Sequence, residues 1–289
     1  MTHAGARAPM DTLEIPARAG IFDARAAGPA DGELVLLLHG FPQTSWAWRH
    51  QLEALGHAGY RAVAPDQRGY SRRAAPRDVA AYRSEELVAD VLEIADHLGA
   101  RRFSVVGHDW GGVLAWQLAA RHPDHLRTVT VVSTPHPVAF ARALRGGDQR
   151  RRSAYVMVFR SSIAETLLTA FDAAGLRALY RRTGLSHADA RVYLDALGAP
   201  ERLRGPLHWY RAADSSLVKG LGPVTRPTLY VWGSRDPALG RQAAQATAQH
   251  VTGPYRFEVL DGVGHWIPEQ AGDTLNRLLL EHLAGEAAA

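Results

Sequence analysis

The 289 residues, 46% of them apolar, are enough for one large domain with a sizeable core, or for a domain carrying an insertion. The chain has no cysteine, which excludes disulfides and thiolate metal sites and leaves the compartment undetermined by redox argument. The net charge of +4 does not point to nucleic acid, because 33 basic residues are spread along the chain among 29 acids.

The one local cluster, Arg145 with Arg150, Arg151 and Arg152, reads as the solvated surface of a helix. Met1 to Gly20 carries Arg7, Asp11, Glu14 and two prolines and has no apolar core of the kind a secretory signal needs. No later stretch approaches the roughly 18 apolar residues of a membrane helix, so a cytoplasmic protein with no membrane span is expected.

Thr12 to Ile15 and Gly20 to Ala24 read as short edge strands. Glu33 to Leu38 is a nearly continuous apolar run, as a strand covered on both faces requires, and it ends in His39-Gly40-Phe41-Pro42. A helix follows from about Ser45 to His57, then a strand from Tyr60 to Ala64. Ser84 is expected to cap a helix that runs to His97, with Glu85 and Glu86 favouring its positive end. Strand Arg102 to Val106 leads through a glycine-flanked turn into helix Gly112 to Arg121, followed by strand Leu126 to Ser133.

From about His136 to Pro223 the strand signal disappears, and helical segments are broken at Gly146-Gly147, Gly184, Gly198-Ala199-Pro200 and Gly205-Pro206. Strand Thr228 to Trp232, helix Gly240 to His250, strand Tyr255 to Leu260 and helix Pro268 to Leu283 restore the alternation. The reading is an α/β fold, a mainly parallel sheet with helices on both faces. Residues 1–135 and 224–289 form the core domain, and residues 136–223 form a helical cap over the crevice where such sheets bind ligands.

The chemistry concentrates at the turn Gly107-His108-Asp109-Trp110-Gly111-Gly112. This is the strand-turn-helix pattern of a nucleophile elbow, with Asp in place of Ser. A carboxylate with a reference pKa of about 3.9 is ionised at neutral pH and can attack carbon without a base to deprotonate it. Asp236 follows the strand Thr228 to Trp232, and His265 follows the next strand. Asp109, Asp236 and His265 therefore stand in the chain order nucleophile, acid, histidine, each beyond a strand's carboxyl end. Singly, Asp236 before Pro237 also reads as a turn and His265 as a packed loop histidine; His39 is assigned a structural role.

At these positions the chain resembles the α/β-hydrolase-fold epoxide hydrolases and the related haloalkane dehalogenases, over about Glu33 to His282. The resemblance rests on His39-Gly40-Phe41-Pro42-Gln43, on the Asp109 turn, on Trp209-Tyr210-Arg211, on Trp232-Gly233-Ser234-Arg235-Asp236 and on Gly264-His265-Trp266. It implies displacement by Asp109 to give an alkyl-enzyme ester, which water activated by His265 and Asp236 then hydrolyses. It also implies an oxyanion site at the backbone N–H groups of Phe41 and Trp110, with Pro42 beside the substrate.

An epoxide leaves as an alkoxide, close to hydroxide in basicity (bulk water has a pKa of about 15.7), and so needs an acid. Tyr210 matches the cap tyrosine that supplies it. A second cap tyrosine is common in epoxide hydrolases, but its place in Ser153 to Arg160 holds Val158, with Tyr155 one helical turn earlier on the same face. Phe41 cannot bind halide through its side chain, which disfavours a haloalkane dehalogenase. Trp110 stands where fluoroacetate dehalogenases place Arg. A ligand-binding or natural-product tailoring member of the fold stays open. No metal or organic cofactor is implied; the partner is a small apolar epoxide, and a homodimer is an open alternative.

Overall fold

The structure, a computed structural model, describes residues 10–287, so the reading of the first nine residues lies outside it. Eight strands form one sheet in the order β1-β2-β4-β3-β5-β6-β7-β8. The strands are β1 (Asp11–Ala17), β2 (Gly20–Ala27), β3 (Leu34–Leu38), β4 (Arg61–Pro65), β5 (Phe103–His108), β6 (Leu126–Val132), β7 (Thr228–Gly233) and β8 (Tyr255–Leu260). β1 and β2 pair antiparallel at one edge, β2 meets β4 antiparallel, and every later pairing is parallel. Every residue of β3, β5 and β7 is buried, which is why these runs are apolar throughout rather than alternating.

Helices α1 (Arg49–His57), α2 (Ser84–His97) and α3 (Trp110–Arg121) follow β3, β4 and β5. Between β6 and β7 lie α4 (Pro137–Ala143), α5 (Gln149–Arg152), α6 (Tyr155–Arg160), α7 (Ala164–Thr183), α8 (His187–Leu197) and α9 (Pro200–Ala212). α10 (Arg241–Ala246), α11 (Ile267–Gln270) and α12 (Gly272–Ala287) complete the chain. α1 packs on α12 and α2 on α3, forming the two helical layers that cover the sheet. Among the described residues no helix is long and apolar enough to cross a membrane.

Local expectations fail at two places for tertiary reasons. Ser84 is the first residue of α2 rather than its cap; Arg83 holds the cap position, and the Ser84 hydroxyl instead meets the Ser216 hydroxyl at 3.2 Å. Gly205-Pro206 does not break the insertion, since α9 runs through Pro206. Gly205 lies so close to Gly69 that a β-carbon there would sit 2.6 Å from the Gly69 α-carbon, so the glycine serves a close approach and not a turn. The long α7 is interrupted at residues 170–173, where Phe171, Asp172 and Ala173 hold positive φ of 51°, 57° and 56°.

Candidate active site

Asp109 sits where β5 turns into α3, with φ 52° and ψ −117°. A non-glycine residue in that region is strained, and the turn is held by Gly111 N–H to the His39 carbonyl at 3.1 Å and by the Thr134 hydroxyl to the Asp109 carbonyl at 2.8 Å. The strain lifts the carboxylate off the sheet edge toward the loop after β3. There the Phe41 N–H donates to Asp109 Oδ1 at 2.8 Å. Gly40 permits this approach, because any β-carbon at that position would collide with the Asp109 side chain.

Asp236 and His265 arrive from the loops after β7 and β8. His265 Nδ1 stands 2.8 Å from Asp236 Oδ2, and His265 Nε2 stands 3.6 Å from Asp109 Oδ2. The other Asp236 oxygen accepts from the N–H groups of Ala238 at 2.8 Å and Leu239 at 3.0 Å, so this carboxylate cannot swing. The His265 carbonyl is fixed by the Ser133 hydroxyl and by His108 Nε2, each at 2.9 Å. Burial favours neutral His265, but the Asp236 and Asp109 carboxylates outweigh it and push the imidazole up to about 10. Asp109 is likewise opposed by burial, yet the His265 cation and the Phe41 N–H hold its carboxyl below the usual range.

Asp109 and His265 open onto a cavity of about 140 Å³, with Asp236 buried behind the imidazole. Phe41, Pro42, Tyr155, Phe159, Tyr210 and Trp266 line it with apolar surface, and Leu179 and Thr183 complete one wall. Tyr210 is edge-on to Phe41 and to Trp110, with ring centroids 5.1 Å away in both cases. Its helix is held by the Trp209 indole to the Arg68 carbonyl and by Arg160 to the Tyr210 carbonyl, both at 2.9 Å. Burial first, then the Asp109 carboxylate, raise the Tyr210 phenol well above its ordinary value, while the neighbouring Trp110 indole opposes them. Tyr210 therefore stays protonated, with its own proton free to be donated. Tyr155 lines the same cavity 6.4 Å from Tyr210, centroid to centroid. Val158, in the place of the second tyrosine, is 39% exposed and does not line the cavity.

The family model described as the alpha/beta hydrolase fold matches residues 33–271 of the chain. Epoxide hydrolase 4 of Mus musculus is 34% identical over 272 residues, spanning 90% of this chain and 76% of that protein. The AB hydrolase superfamily protein YfhM of Bacillus subtilis is 34% identical over 90% of this chain and 93% of its own length. Among solved structures, epoxide hydrolase A from Mycobacterium thermoresistibile superposes with a TM-score of 0.84 at 28% identity, over 96% of this chain and 99% of that one. The chain belongs to the epoxide hydrolase family of the α/β-hydrolase fold.

Membership in the epoxide hydrolase family makes it an enzyme, a hydrolase of the class that acts on ether bonds. Two contributors to this family member's site were not legible as such in its sequence. Arg152, read as part of a solvated arginine cluster, lines the cavity and donates to the Asp236 carbonyl at 2.8 Å. His108, adjacent to Asp109, is buried and bridges Gln43 Oε1 to the His265 carbonyl, each at 2.9 Å. His39 is buried against Tyr70, its Nδ1 3.0 Å from the Gly40 carbonyl and its Nε2 accepting from the Gln67 N–H at 3.3 Å, a structural arrangement that steadies the loop after β3. Among the described residues no group of three or more His, Asp or Glu side chains is arranged to hold a metal ion.

Proposed function

We propose that this enzyme opens a small apolar epoxide to a vicinal diol through an ester on Asp109. The observation that carries the reading is the cavity in which the Asp109 carboxylate and the Tyr210 phenol meet, with His265 bridging Asp109 to Asp236. Asp109 attacks an epoxide carbon, the C–O bond breaks, and the oxygen leaves as an alkoxide. Tyr210, aligned by Trp110, donates its proton to that oxygen, and Tyr155 flanks it as a second donor. Helices α4 to α9, within residues 136–223, act as the cap that supplies both tyrosines and keeps water sparse around the reacting oxygen.

The charge state of His265 then accounts for the order of steps. In the resting enzyme two carboxylates hold it protonated. Esterification neutralises Asp109 and removes one of them, so the imidazolium proton becomes available to restore Tyr210. Neutral His265 then takes a proton from water, and the hydroxide attacks the Asp109 carbonyl carbon. The Phe41 N–H, already 2.8 Å from Asp109 Oδ1, stabilises the oxyanion together with the Trp110 N–H; losing one such donor costs about 2.7–4 kcal/mol in known cases. Collapse breaks the ester C–O bond, the departing alkoxide takes the proton that the hydroxide brought to the Asp109 carboxyl, and the diol leaves with Asp109 ionised and His265 protonated, as they began.

Halide displacement is the second reading, and the surroundings of Asp109 support it less. The Phe41 ring packs on Phe159 with centroids 5.0 Å apart and offers no side-chain N–H beside Asp109 to pair with the Trp110 indole around a halide. A single turnover of styrene oxide in 18O-water tests the proposal. The first diol is expected to carry unlabelled oxygen from Asp109; label in that diol would eliminate the ester. Free halide from a haloalkane, with no diol from the epoxide, would transfer the site to the second reading.

A further inference from the structure

Asp236 lies in the loop of residues 234–240, which has no strand or helix of its own. The core domain holds this loop through the Trp232 indole to the Leu239 carbonyl at 3.0 Å and the Arg235 N–H to the Val263 carbonyl at 2.9 Å. Three further bonds come from α5, a short helix of the cap. Gln149 Nε2 donates to the Ala238 carbonyl at 2.8 Å, Gln149 Oε1 accepts from the Gly240 N–H at 2.7 Å, and Arg152 Nη1 donates to the Asp236 carbonyl at 2.8 Å.

The Gln149 amide is fully committed, because its second N–H reaches the Ser153 hydroxyl at 2.9 Å. It is also buried, and it faces a carbonyl on one side and an N–H on the other, so its orientation is fixed by chemistry. Arg152 is braced in turn by Asp148, Nε to Oδ2 at 2.6 Å. Together these contacts grip the loop on both sides of the turn by which Asp236 Oδ1 accepts from Ala238 and Leu239, the turn that aims Oδ2 at His265.

We propose that Gln149 and Arg152 are positioning residues for Asp236, so that the basicity of His265 and the hydrolytic half-reaction depend on the grip of α5. A merely structural role would lower stability without altering the His265 ionisation or the balance between the half-reactions. The inference rests on the proposed roles of Asp236 and His265, and its first readout requires no substrate.

Gln149→Ala and Gln149→Glu test it, the latter keeping the Gly240 bond while setting an oxygen against the Ala238 carbonyl. Gln149 does not line the cavity. Both variants are to be checked for native far-UV circular dichroism. In the resting protein the downfield proton resonance of the His265–Asp236 bond should broaden, and the His265 titration midpoint should fall by about one pH unit, a tenfold change in proton affinity.

With styrene oxide, ester formation should stay within about twofold of wild type and ester hydrolysis should slow about tenfold, a loss equivalent to one neutral hydrogen bond. Arg151→Ala, at an exposed neighbour, should change none of these. A folded Gln149→Ala protein with an unchanged resonance and midpoint overturns the proposal, as does an equal loss in both half-reactions. If wild type forms no ester but the midpoint still moves in Gln149→Ala, the reaction reading fails and the positioning role stands.

Discussion

His265 Nε2 stands 3.6 Å from Asp109 Oδ2, too long for a good hydrogen bond but close enough for each charge to set the other's ionisation. Two unit charges about 4 Å apart interact by about 4 kcal/mol at an effective dielectric near 20. Removing the Asp109 charge should therefore release His265 from its raised value of about 10. Asp109→Asn, a neutral mimic of the ester, is expected to bring the His265 midpoint down by at least one pH unit in an NMR titration, and to abolish turnover. Intact mass must confirm that the introduced amide has not deamidated back to the carboxylate. A midpoint unchanged from wild type would break the link between esterification and the base.

The same link predicts the fate of His265→Gln. Esterification does not require the imidazole as a nucleophile, whereas hydrolysis does require it as a base. Incubation with styrene oxide should therefore yield a protein heavier by one substrate, stable enough to be seen by intact mass, with the added mass confined on peptide mapping to the segment containing Asp109. Rapid release of diol with no adduct would sink the proposed base.

Tyr210 and Tyr155 should differ in weight. Tyr210 is aligned by Trp110 and buried beside Asp109, so Tyr210→Phe removes the acid and should slow ester formation by about 10²–10⁴-fold, the span typical of general acid catalysis. Tyr155 is half-buried on a short helix, and Tyr155→Phe should cost no more than about tenfold, one neutral hydrogen bond. Stopped-flow tyrosine or tryptophan fluorescence, or quenched-flow mass analysis, separates ester formation from hydrolysis. Equal losses in the two variants would make them a symmetric pair.

The sheet was legible because β3, β5 and β7 are buried on both faces and so read as unbroken apolar runs. Asp109 and Asp236 stood out because each follows such a run, and His265 because it follows the next strand; strand ends of a parallel sheet share one edge. Within the insertion the signals weaken. Helical spacing allowed either Tyr155 or Val158 to face inward, and only the packing of α6 on α9 turns Val158 outward. Arg152 is indistinguishable in sequence from Arg150 and Arg151; its role comes from α5 lying against a loop some 84 residues away in sequence. Gly205-Pro206 misled because local turn chemistry says nothing of the Gly69 backbone that the glycine must accommodate.

His136, where the chain leaves β6 for the insertion, predicts sensitivity to acid. It is buried, stacks on His250 with ring centroids 4.5 Å apart and planes within 11°, and its Nε2 has no hydrogen-bond partner in the structure. Burial, then His250, lower its pKa to about 3. A histidine with a depressed folded value contributes stability that is fully present above its unfolded pKa of about 6.5 and is lost as pH falls toward the folded one. Between pH 7 and 5 the loss should be about 2 kcal/mol, or several degrees in Tm. His136→Phe, which keeps the stacking on His250 and the contact with Trp116, should flatten that part of the profile in differential scanning fluorimetry. A parallel profile for the variant would assign the acid loss to other groups.

Glu269 predicts the opposite pH dependence. Tyr193 donates to Glu269 Oε1 at 2.7 Å, Gln43 lies 2.6 Å from the same oxygen, and Oε2 is buried without a partner. Burial raises its carboxyl to about 7, against the opposing effects of Tyr193, Arg49 and Gln43, while Asp189 adds to the rise. The hydrogen bonds agree with a neutral acid. With the Gln43 nitrogen toward Glu269, its oxygen faces His108 Nδ1, whose Nε2 already faces the His265 carbonyl. His108 would then have to be an imidazolium, yet burial depresses it to about 3. Turning the Gln43 amide over lets its nitrogen donate to neutral His108 and its oxygen accept a proton from Glu269; which amide atom is which is inferred from such networks. A carboxyl with a raised folded pKa stabilises below its unfolded value and loses that contribution as pH rises through the folded one. Wild type should therefore lose about 2 kcal/mol between pH 5 and 8 that Glu269→Gln keeps. The variant should match wild type at pH 5 and melt several degrees higher at pH 8. Equal melting temperatures at pH 8 would mean that Glu269 is already ionised in the folded enzyme at pH 5, and that Gln43 keeps its nitrogen toward it.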